Sequence, residues 1–300
     1  MTKTINPREL PVPQLHSLLL SAVAPRPIAF ASTIDLNGEV NLSPFSFFNV
    51  FSANPPVMIF SPARRGRDNT IKHTLENVRS VPEVVINVVN HAMVEQMSLS
   101  STEYPAHINE FTKSGLTEEP SQVVRPPRVK ESPVSFECQV EKIIELGDQG
   151  GAGNLVISRV ELIHVHEQFL DEQGKLDPTS LDQVARMGGN WYCRAAGDAL
   201  FEIPKPLTTL GVGVDSLPLS VRNSAVLTGN NLGRLGNLER LPHKDEIDHI
   251  SSLDQVKDIL NKYPNHQDQL KELHRLAQYQ LEQSQAADAM AILLWADRLP

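Results

Sequence analysis

The stretch FECQVEKIIELGDQGGAGNLVISRVELIHV, residues 136–165, contains two runs in which apolar and polar residues alternate. The runs cover residues 136–146 and 154–165, and the glycine-rich segment GDQGGAG separates them. Alternation with a period of two is typical of strands that bury one face, and a short glycine-containing connection joins two such strands as a hairpin. The segment lacks the G-x-G-x-x-G spacing and leads into no helix, so it is not a dinucleotide fingerprint. We therefore predict a long antiparallel hairpin.

Further strand patterns lie on the N-terminal side of this hairpin. Strands are predicted at residues 27–34, 39–43, 57–60 and 84–89. Helical spacing of apolar residues begins at Thr70, and residues 91–100 also favour a short helix. Because turns rather than long helices separate most of the strands, we expect a mainly β fold of the barrel type with helices outside it.

The character of the chain changes after Pro204. Residues 253–297 carry two apolar stripes at helical spacing, whereas residues 211–243 are rich in Gly, Asn and Leu. We predict a β-rich domain over residues 10–204 and a C-terminal extension over residues 205–300, with a loop followed by helices.

The composition excludes several classes of partner. The formal net charge is -9, which disfavours binding to nucleic acid or to an anionic membrane surface. No apolar run approaches the roughly 18 residues that span a bilayer, and residues 1–10 lack the apolar core of a signal peptide. We therefore expect a soluble cytoplasmic protein.

The 2 cysteines do not form a disulfide framework.

The loop SPARRGRDNT, residues 61–70, precedes a predicted helix and is a candidate phosphate site. Its arginines are Arg64, Arg65 and Arg67, and its neutral donors are Ser61, Asn69 and Thr70. A helix start offers free backbone N–H groups and a partial positive charge, and guanidinium groups bind phosphate oxygens well. The alternative is a solvated basic loop in which Asp68 neutralises one arginine.

The segment NLSPFSFFNVFSANPP, residues 41–56, has four phenylalanines within seven positions, interleaved with serine and asparagine. Apolar ring faces next to polar donors would line the site of a flat heteroaromatic ligand. The alternative is ordinary core packing of the phenylalanines. Because the segment lies one short strand before the arginine loop, a ligand with both a ring and a phosphate could contact both.

Six ordered motifs resemble one known family. They are PRPIAFAST (residues 25–33), NLSPFSFFN (41–49), NPPVMIFS (54–61), RDNT (67–70), VVINVVN (84–90) and ARMGGNWY (185–192). Together they resemble the flavin reductase-like, FMN-binding split-barrel family, in particular its flavoredoxin and nitrilotriacetate monooxygenase component B branch. The resemblance implies an antiparallel split β-barrel with outer helices, a homodimer, FMN near the subunit interface, and NADH or NADPH as the reductant.

The resemblance also implies which residues bind FMN. The ring would lie against Asn41, Leu42, Ser43, Pro44 and Phe45 and near Phe48, and the phosphate near Ser61, Arg67, Asn69 and Thr70. Arg186, Gly188, Gly189 and Tyr192 match the family pattern R-[LM]-G-G-x-x-Y. Family members commonly have Lys-Asp-Thr where this chain has residues 67–70. For Gly188 the alternative is a helix C-cap after residues 179–187.

The function implied is an NAD(P)H-dependent flavin reductase that transfers a hydride to flavin N5, with a partner oxygenase as one recipient of the reduced flavin. No acid–base or nucleophile motif is present, so no catalytic residue is predicted. The alternative is a non-catalytic FMN-binding electron carrier or flavin-responsive binding protein. His164 and His166 lie two apart on a predicted strand, but they have no identifiable third ligand, so we predict no metal site. The alternatives are a solvated strand surface and a role near the flavin or the subunit interface. Residues 226–237 are expected to form either a wrapping loop or an arm over the flavin edge.

Overall fold

Eleven strands are found in the residues that the computed structural model describes, which are 1–105, 107–204 and 206–299. They are β1 (Ala29–Ile34), β2 (Val40–Phe45), β3 (Phe48–Ala53), β4 (Pro56–Phe60), β5 (Glu83–Asn87), β6 (Glu118–Glu119), β7 (Arg128–Val129), β8 (Val134–Glu145), β9 (Asn154–Val165), β10 (Val184–Arg186) and β11 (Tyr192–Arg194). Seven of them form one antiparallel sheet in the order β2-β1-β5-β8-β9-β4-β3. The predicted antiparallel architecture is confirmed.

The β8–β9 hairpin is the longest pairing in the sheet, and both of its strands were predicted. Its register runs from Val134 opposite Val165 to Glu145 opposite Asn154, with two irregularities that bend the strands. Strand β1 pairs with both β2 and β5 and is buried along its whole length. Two apolar clusters, one around Phe60 and the other around Phe30, cover the faces of this central region.

Among the described residues, five α-helices accompany the sheet: α1 (Val12–Ala22), α2 (His73–Ser80), α3 (Val94–Leu99), α4 (Glu110–Ser114) and α5 (Pro178–Leu181). The helix predicted from Thr70 begins three residues later, at His73. The delay has a local cause. Asn69 takes a left-handed conformation with φ of 59°, and the Asp68 carboxylate accepts the Thr70 backbone N–H at 3.0 Å, so a turn occupies these positions.

Two other predictions about this region were incomplete or wrong. Residues 48–53 form strand β3, which the mixed composition of the phenylalanine-rich segment did not reveal. The helix suggested for residues 179–187 is wrong, because α5 ends at Leu181 and residues 184–186 form β10, which pairs with β11. Asp182 has a φ of 48°, and this left-handed residue ends the helix.

The chain separates into two compact units, Met1–Phe201 and Glu202–Pro300. The second unit contains α6 (Leu219–Arg222), α7 (Gly229–Gly236), α8 (Lys244–His249), α9 (Asp254–Lys262), α10 (His266–Glu282) and α11 (Ala286–Ala296). The predicted C-terminal helices are thus confirmed. Their apolar stripes meet in a core that includes Leu273, Leu281 and Met290. No helix in the described ranges has the length and apolar character needed to cross a membrane.

The loop predicted at residues 226–237 is wrong, since most of it is helix α7. Glycine and asparagine are poor helix formers. A reciprocal pair of side-chain bonds between Thr228 and Asn231 caps the helix, and Leu235 is fully buried in the core of the second unit. Capping and burial therefore outweigh the unfavourable propensity of this segment.

Candidate functional site

A cavity of about 530 Å³ lies in the first unit beside α1 and the C-terminal end of β2. Its apolar lining consists of Leu20, Ile28, Pro44, Phe45, Phe47, Ala63 and Met97. Its hydroxyl groups come from Ser46, Ser61, Ser98, Ser101 and Tyr192, and His16 completes the neutral polar lining. A volume of this size falls in the range of small-molecule sites, which are mostly apolar with a few placed polar groups.

The charges that line this cavity are of one sign. Lys72 and Arg186 are the charged residues among the described lining, and neither Asp nor Glu is among them. This contrasts with the whole chain, whose formal net charge is -9. A concave, partly apolar site with two cations and no carboxylate attracts an anion.

Lys72 precedes the first residue of α2 and is half-buried. Burial lowers the pKa of its ammonium group, and the neighbouring Arg65 lowers this pKa further, whereas Glu103 acts in the opposite direction. An anion bound in the cavity would oppose both lowering effects. Sequence reasoning missed Lys72 because the three arginines before it dominated the pattern. The sequence placed Lys72 inside the helix predicted from Thr70, so its position immediately before α2 had no local signal.

The arginines of residues 61–70 bind groups of the protein itself. Arg64 donates to the Asn69 side-chain oxygen at 2.8 Å, and Arg65 donates to Glu103 at 3.1 Å. The Arg67 side chain is 69% exposed and pairs with Asp68 and Glu103. The exposed, acid-paired Arg67 fits the alternative of a solvated basic loop, whereas the Arg65 side chain is only 15% exposed.

Asp68 holds the turn after Arg67 in place. Its carboxylate accepts from the hydroxyl and the backbone N–H of Thr70, and these bonds, with Arg67, lower the pKa of Asp68 to about 2. Asn69 donates to the Asp148 carbonyl at 2.9 Å. The cavity lining therefore includes Ser61 but not Arg67, Asn69 or Thr70. The phosphate assignment for these three residues stays a prediction.

The predicted ring-binding segment divides between the cavity and the interior. Pro44 and Phe45 line the cavity, and Ser43 lines a narrow cleft that also reaches Lys72. Phe48 packs instead against the apolar cluster around Phe60. Pro44 and Phe45 are therefore placed to contact a ligand in the cavity.

Asn41 and Leu42 are engaged with a buried carboxylate. The Asn41 side-chain amide donates to Glu110 Oε1 at 3.0 Å, and the Leu42 backbone N–H donates to Glu110 Oε2 at 2.9 Å. The Thr74 hydroxyl donates to the Asn41 side-chain oxygen at 2.7 Å. Burial raises the pKa of Glu110, although these hydrogen bonds oppose the shift. The group connects β2 to α4 and α2, and Asn41, Thr74 and Glu110 line the narrow cleft rather than the cavity.

The β10–β11 hairpin supplies Arg186 and Tyr192. The Arg186 guanidinium lies 4.6 Å from the centre of the Tyr192 ring and donates to the Gly189 carbonyl at 2.9 Å. Gly188 is in close contact with α1, since a Cβ atom there would lie 3.1 Å from Ser21 Cα and closer still to the Ser21 hydroxyl. Glycine is thus required where the hairpin meets α1.

Arg26 connects α1 to the β10–β11 hairpin by hydrogen bonds. Its guanidinium is buried and donates to the carbonyl groups of Leu20, of Val23 at 2.7 Å and of Met187 at 2.8 Å. The first two carbonyl groups lie at the end of α1, and Met187 follows β10. Sequence reasoning included Arg26 in the PRPIAFAST motif but assigned it no role, because its partner Met187 is 161 residues away in the chain.

His164 and His166, which the sequence placed on one strand, lie in a different region from the cavity. His164 Nε2 lies 2.6 Å from Glu137 Oε1, and His166 follows the end of β9. Glu137 is fully buried and also accepts backbone N–H groups of residues 122–124. This carboxylate joins residues 122–124 to strand β8. The described residues contain no His/Cys/Asp/Glu group arranged to hold a metal ion.

The chain is similar to a known protein family and to individual proteins. The model of the family described as "Flavin reductase like domain" matches residues 21–180, more than half of the chain. An uncharacterised protein of Aquifex aeolicus is 39% identical over 189 residues, which are 63% of this chain and 94% of that protein. An uncharacterised protein of Halalkalibacterium halodurans is 40% identical over 193 residues, which are 63% of this chain and 90% of that protein.

Solved structures show the same relationship. Nitrilotriacetate monooxygenase component B of Bacillus cereus is 30% identical, with a TM-score of 0.63 over 68% of this chain and 99% of that one. A candidate flavin reductase with a split barrel domain from Shewanella frigidimarina is 28% identical, with a TM-score of 0.56 over 66% of this chain and 96% of that one. These findings confirm the resemblance drawn from the ordered motifs and the split-barrel fold.

Proposed function

Because the chain belongs to the flavin reductase-like family, we propose that it binds FMN in the cavity of the first unit and reduces flavin with NADH or NADPH. Family membership supports the coarser statement, a flavin-related oxidoreductase. The observation that carries the finer proposal is the acid-free cavity of about 530 Å³ with its two cations. An apolar wall fits the faces of an isoalloxazine ring, and the cations fit a phosphate.

The donor set of the cavity fits FMN. Pro44, Phe45 and Met97 supply apolar surface for the ring, and Lys72 and Arg186 supply positive charge for the phosphate. The hydroxyl groups of the lining serines can donate to ring heteroatoms or to the ribityl chain. Bound FMN would supply the redox chemistry, which is acceptance of a hydride from nicotinamide at flavin N5. The protein's part is to bind, to orient and to exclude water.

Homodimer formation is part of the proposal, and the free edge of the sheet supports it. Strand β3 ends the sheet order, and Phe47, Val50 and Phe51 are exposed on or beside it, the last at 63%. Apolar side chains on a free sheet edge favour association. An oxygenase that takes up the reduced flavin and a cytoplasmic location stay predictions.

An absorbance spectrum of the purified protein with excess FMN, followed by anaerobic addition of NADH and of NADPH, tests the proposal. Reductase function predicts a flavin spectrum that bleaches with at least one nicotinamide. Flavin that binds but bleaches only with dithionite would instead favour the electron-carrier alternative. Absence of FMN binding would refute both, and a monomer in light-scattering measurements would refute the dimer separately.

A further inference from the structure

A second and larger cavity, of about 650 Å³, lies within the helical second unit. Its walls come from residues 238–242, from α8, from the start of α9 and from the first half of α11. The family model ends at residue 180, before this unit begins. The cavity therefore belongs to a part of the chain that the proposed flavin chemistry does not use.

The floor of this cavity is apolar. It is formed by Leu238, Ile250, Leu253, Ala291 and Ile292, which also belong to or pack against the hydrophobic core of the unit. Such a floor favours a hydrocarbon or aromatic group that is removed from water when it binds.

One polar group at the cavity is left unsatisfied. Gln280, on α10, lines the cavity, and its side-chain oxygen is shielded from solvent without a hydrogen-bond partner among the described residues. A buried acceptor without a donor is unfavourable, and rotation of the Gln280 side chain toward the cavity would let a ligand donor remove this penalty. The ligand is therefore expected to carry a hydrogen-bond donor.

The charged rim is predominantly acidic. The Arg240 guanidinium forms a bidentate pair with Glu246, with N···O distances of 2.7 and 2.9 Å, so these two charges offset each other. Glu239, Asp254 and Asp288 also line the cavity, and of these Asp254 is 3.5 Å from Lys257. The remaining negative charge favours a cation at the mouth.

We infer that this cavity binds a small organic ammonium compound: its ammonium group, which also carries the hydrogen-bond donors, lies at the rim near Glu239 and Asp288, and its apolar body covers the floor. The cavity of the first unit has the opposite charge preference, because it contains two cations and no acid. The inference does not depend on the proposed flavin function. The opposite preferences also allow binding at the two cavities to be distinguished.

Isothermal titration of the full chain, saturated with FMN, with three isosteric probes tests the inference. The probes are 3-phenylpropylammonium, the neutral 3-phenylpropanol and the anionic 3-phenylpropanoate. We expect the ammonium probe to bind with a Kd below about 1 mM, more tightly than the alcohol, and the carboxylate to bind most weakly. No ammonium binding up to 10 mM, or equal binding of ammonium and carboxylate, would overturn the inference.

Matched variants locate the binding. The variant Glu239→Gln/Asp288→Asn should weaken ammonium binding about fivefold and leave alcohol binding within about twofold, because it removes two rim charges. The control Asp258→Asn/Glu282→Gln makes the same change in net charge at exposed positions outside the cavity, and binding should stay within about twofold. If the two double variants weaken ammonium binding equally, the assignment of the binding site to this cavity is contradicted.

A third variant blocks the cavity. Ala287 lines the cavity and is exposed, so Ala287→Trp should be tolerated by the fold and should abolish binding of the ammonium and the alcohol together. Circular dichroism melting checks that each variant is folded. Unchanged probe binding in folded Ala287→Trp protein would overturn the inference, and FMN binding, measured in parallel, should be unaffected.

Discussion

Replacement of Lys72 by methionine tests which cation holds the anionic end of the flavin. Lys72 is half-buried and lines the cavity, so its loss removes a partly desolvated charge-assisted contact. Hydrogen bonds to charged groups contribute about 1.5–3 kcal/mol, which corresponds to a Kd roughly 10- to 150-fold higher. Arg67→Met is the matched comparison. The Arg67 side chain is 69% exposed and paired with acids, so we expect a change within about 0.5 kcal/mol.

Fluorescence titration of FMN and of riboflavin with each variant measures these effects. If Lys72 contacts the phosphate, Lys72→Met should weaken FMN binding strongly and riboflavin binding little, because riboflavin has no phosphate. A loss for Arg67→Met as large as that for Lys72→Met would refute the reasoning and return the phosphate to the arginine loop. Equal losses of FMN and riboflavin would refute a phosphate role for Lys72.

The remaining predictions concern the framework of the site. Gly188→Ala should lower the free energy of unfolding by about 1–3 kcal/mol, because the added methyl group overpacks against α1. Gly66→Ala is the control, since no atom lies near its added methyl group, and it should change this free energy little. Thermal melting of the two variants measures the difference. Burial raises the pKa of Glu137, but hydrogen bonds from residues 122–124 and His164 outweigh it and lower the pKa below its ordinary value. The Glu137 carboxylate therefore stabilises the fold at pH values above the ordinary pKa of a glutamate, and this stabilisation is lost as the pH falls through the lowered pKa. The Glu137→Gln variant should accordingly show a weaker dependence of unfolding on acid pH. Arg26→Met removes the hydrogen bonds that hold the end of α1. We expect faster amide hydrogen exchange in α1 and weaker FMN binding.

The strands were predictable where burial is periodic. In β8 and β9 the alternating sequence predicts the strands correctly, although the polar Ser135 and Glu137 of β8 are also buried. Residues 84–86 of β5 are apolar and buried because this strand lies inside the sheet. Strand β3 was missed because it is a mostly exposed edge strand with no periodic pattern. Local signals also fail where a turn competes with a helix, as at Asn69 before α2.

The cavity was only partly predictable, because its walls meet through contacts between distant parts of the chain. Pro44 and Phe45 could be proposed from a local aromatic pattern, and Ser61 from the loop that follows. Neither the contact between Gly188 and α1 nor the bond from Arg26 to Met187 has a local signature. The exposed and paired state of Arg67 likewise depends on Glu103, 36 residues away. The residue types indicated that the ligand is anionic, but the hydrogen-bond and ion-pair partners of each cation decide which cations face the cavity.

The lowered pKa of Lys72 has a consequence for stability that separates a binding role from a structural one. A lysine whose pKa falls on folding is disfavoured in its charged form, so at neutral pH its charge opposes folding until an anion neutralises it. Lys72→Met should therefore melt at a higher temperature than the unchanged protein without FMN, and FMN should raise its melting temperature less. If Lys72→Met melts at a lower temperature without ligand, the ammonium group stabilises the fold itself. A structural charge would then explain its burial, and the cavity would lose its strongest argument for an anionic ligand.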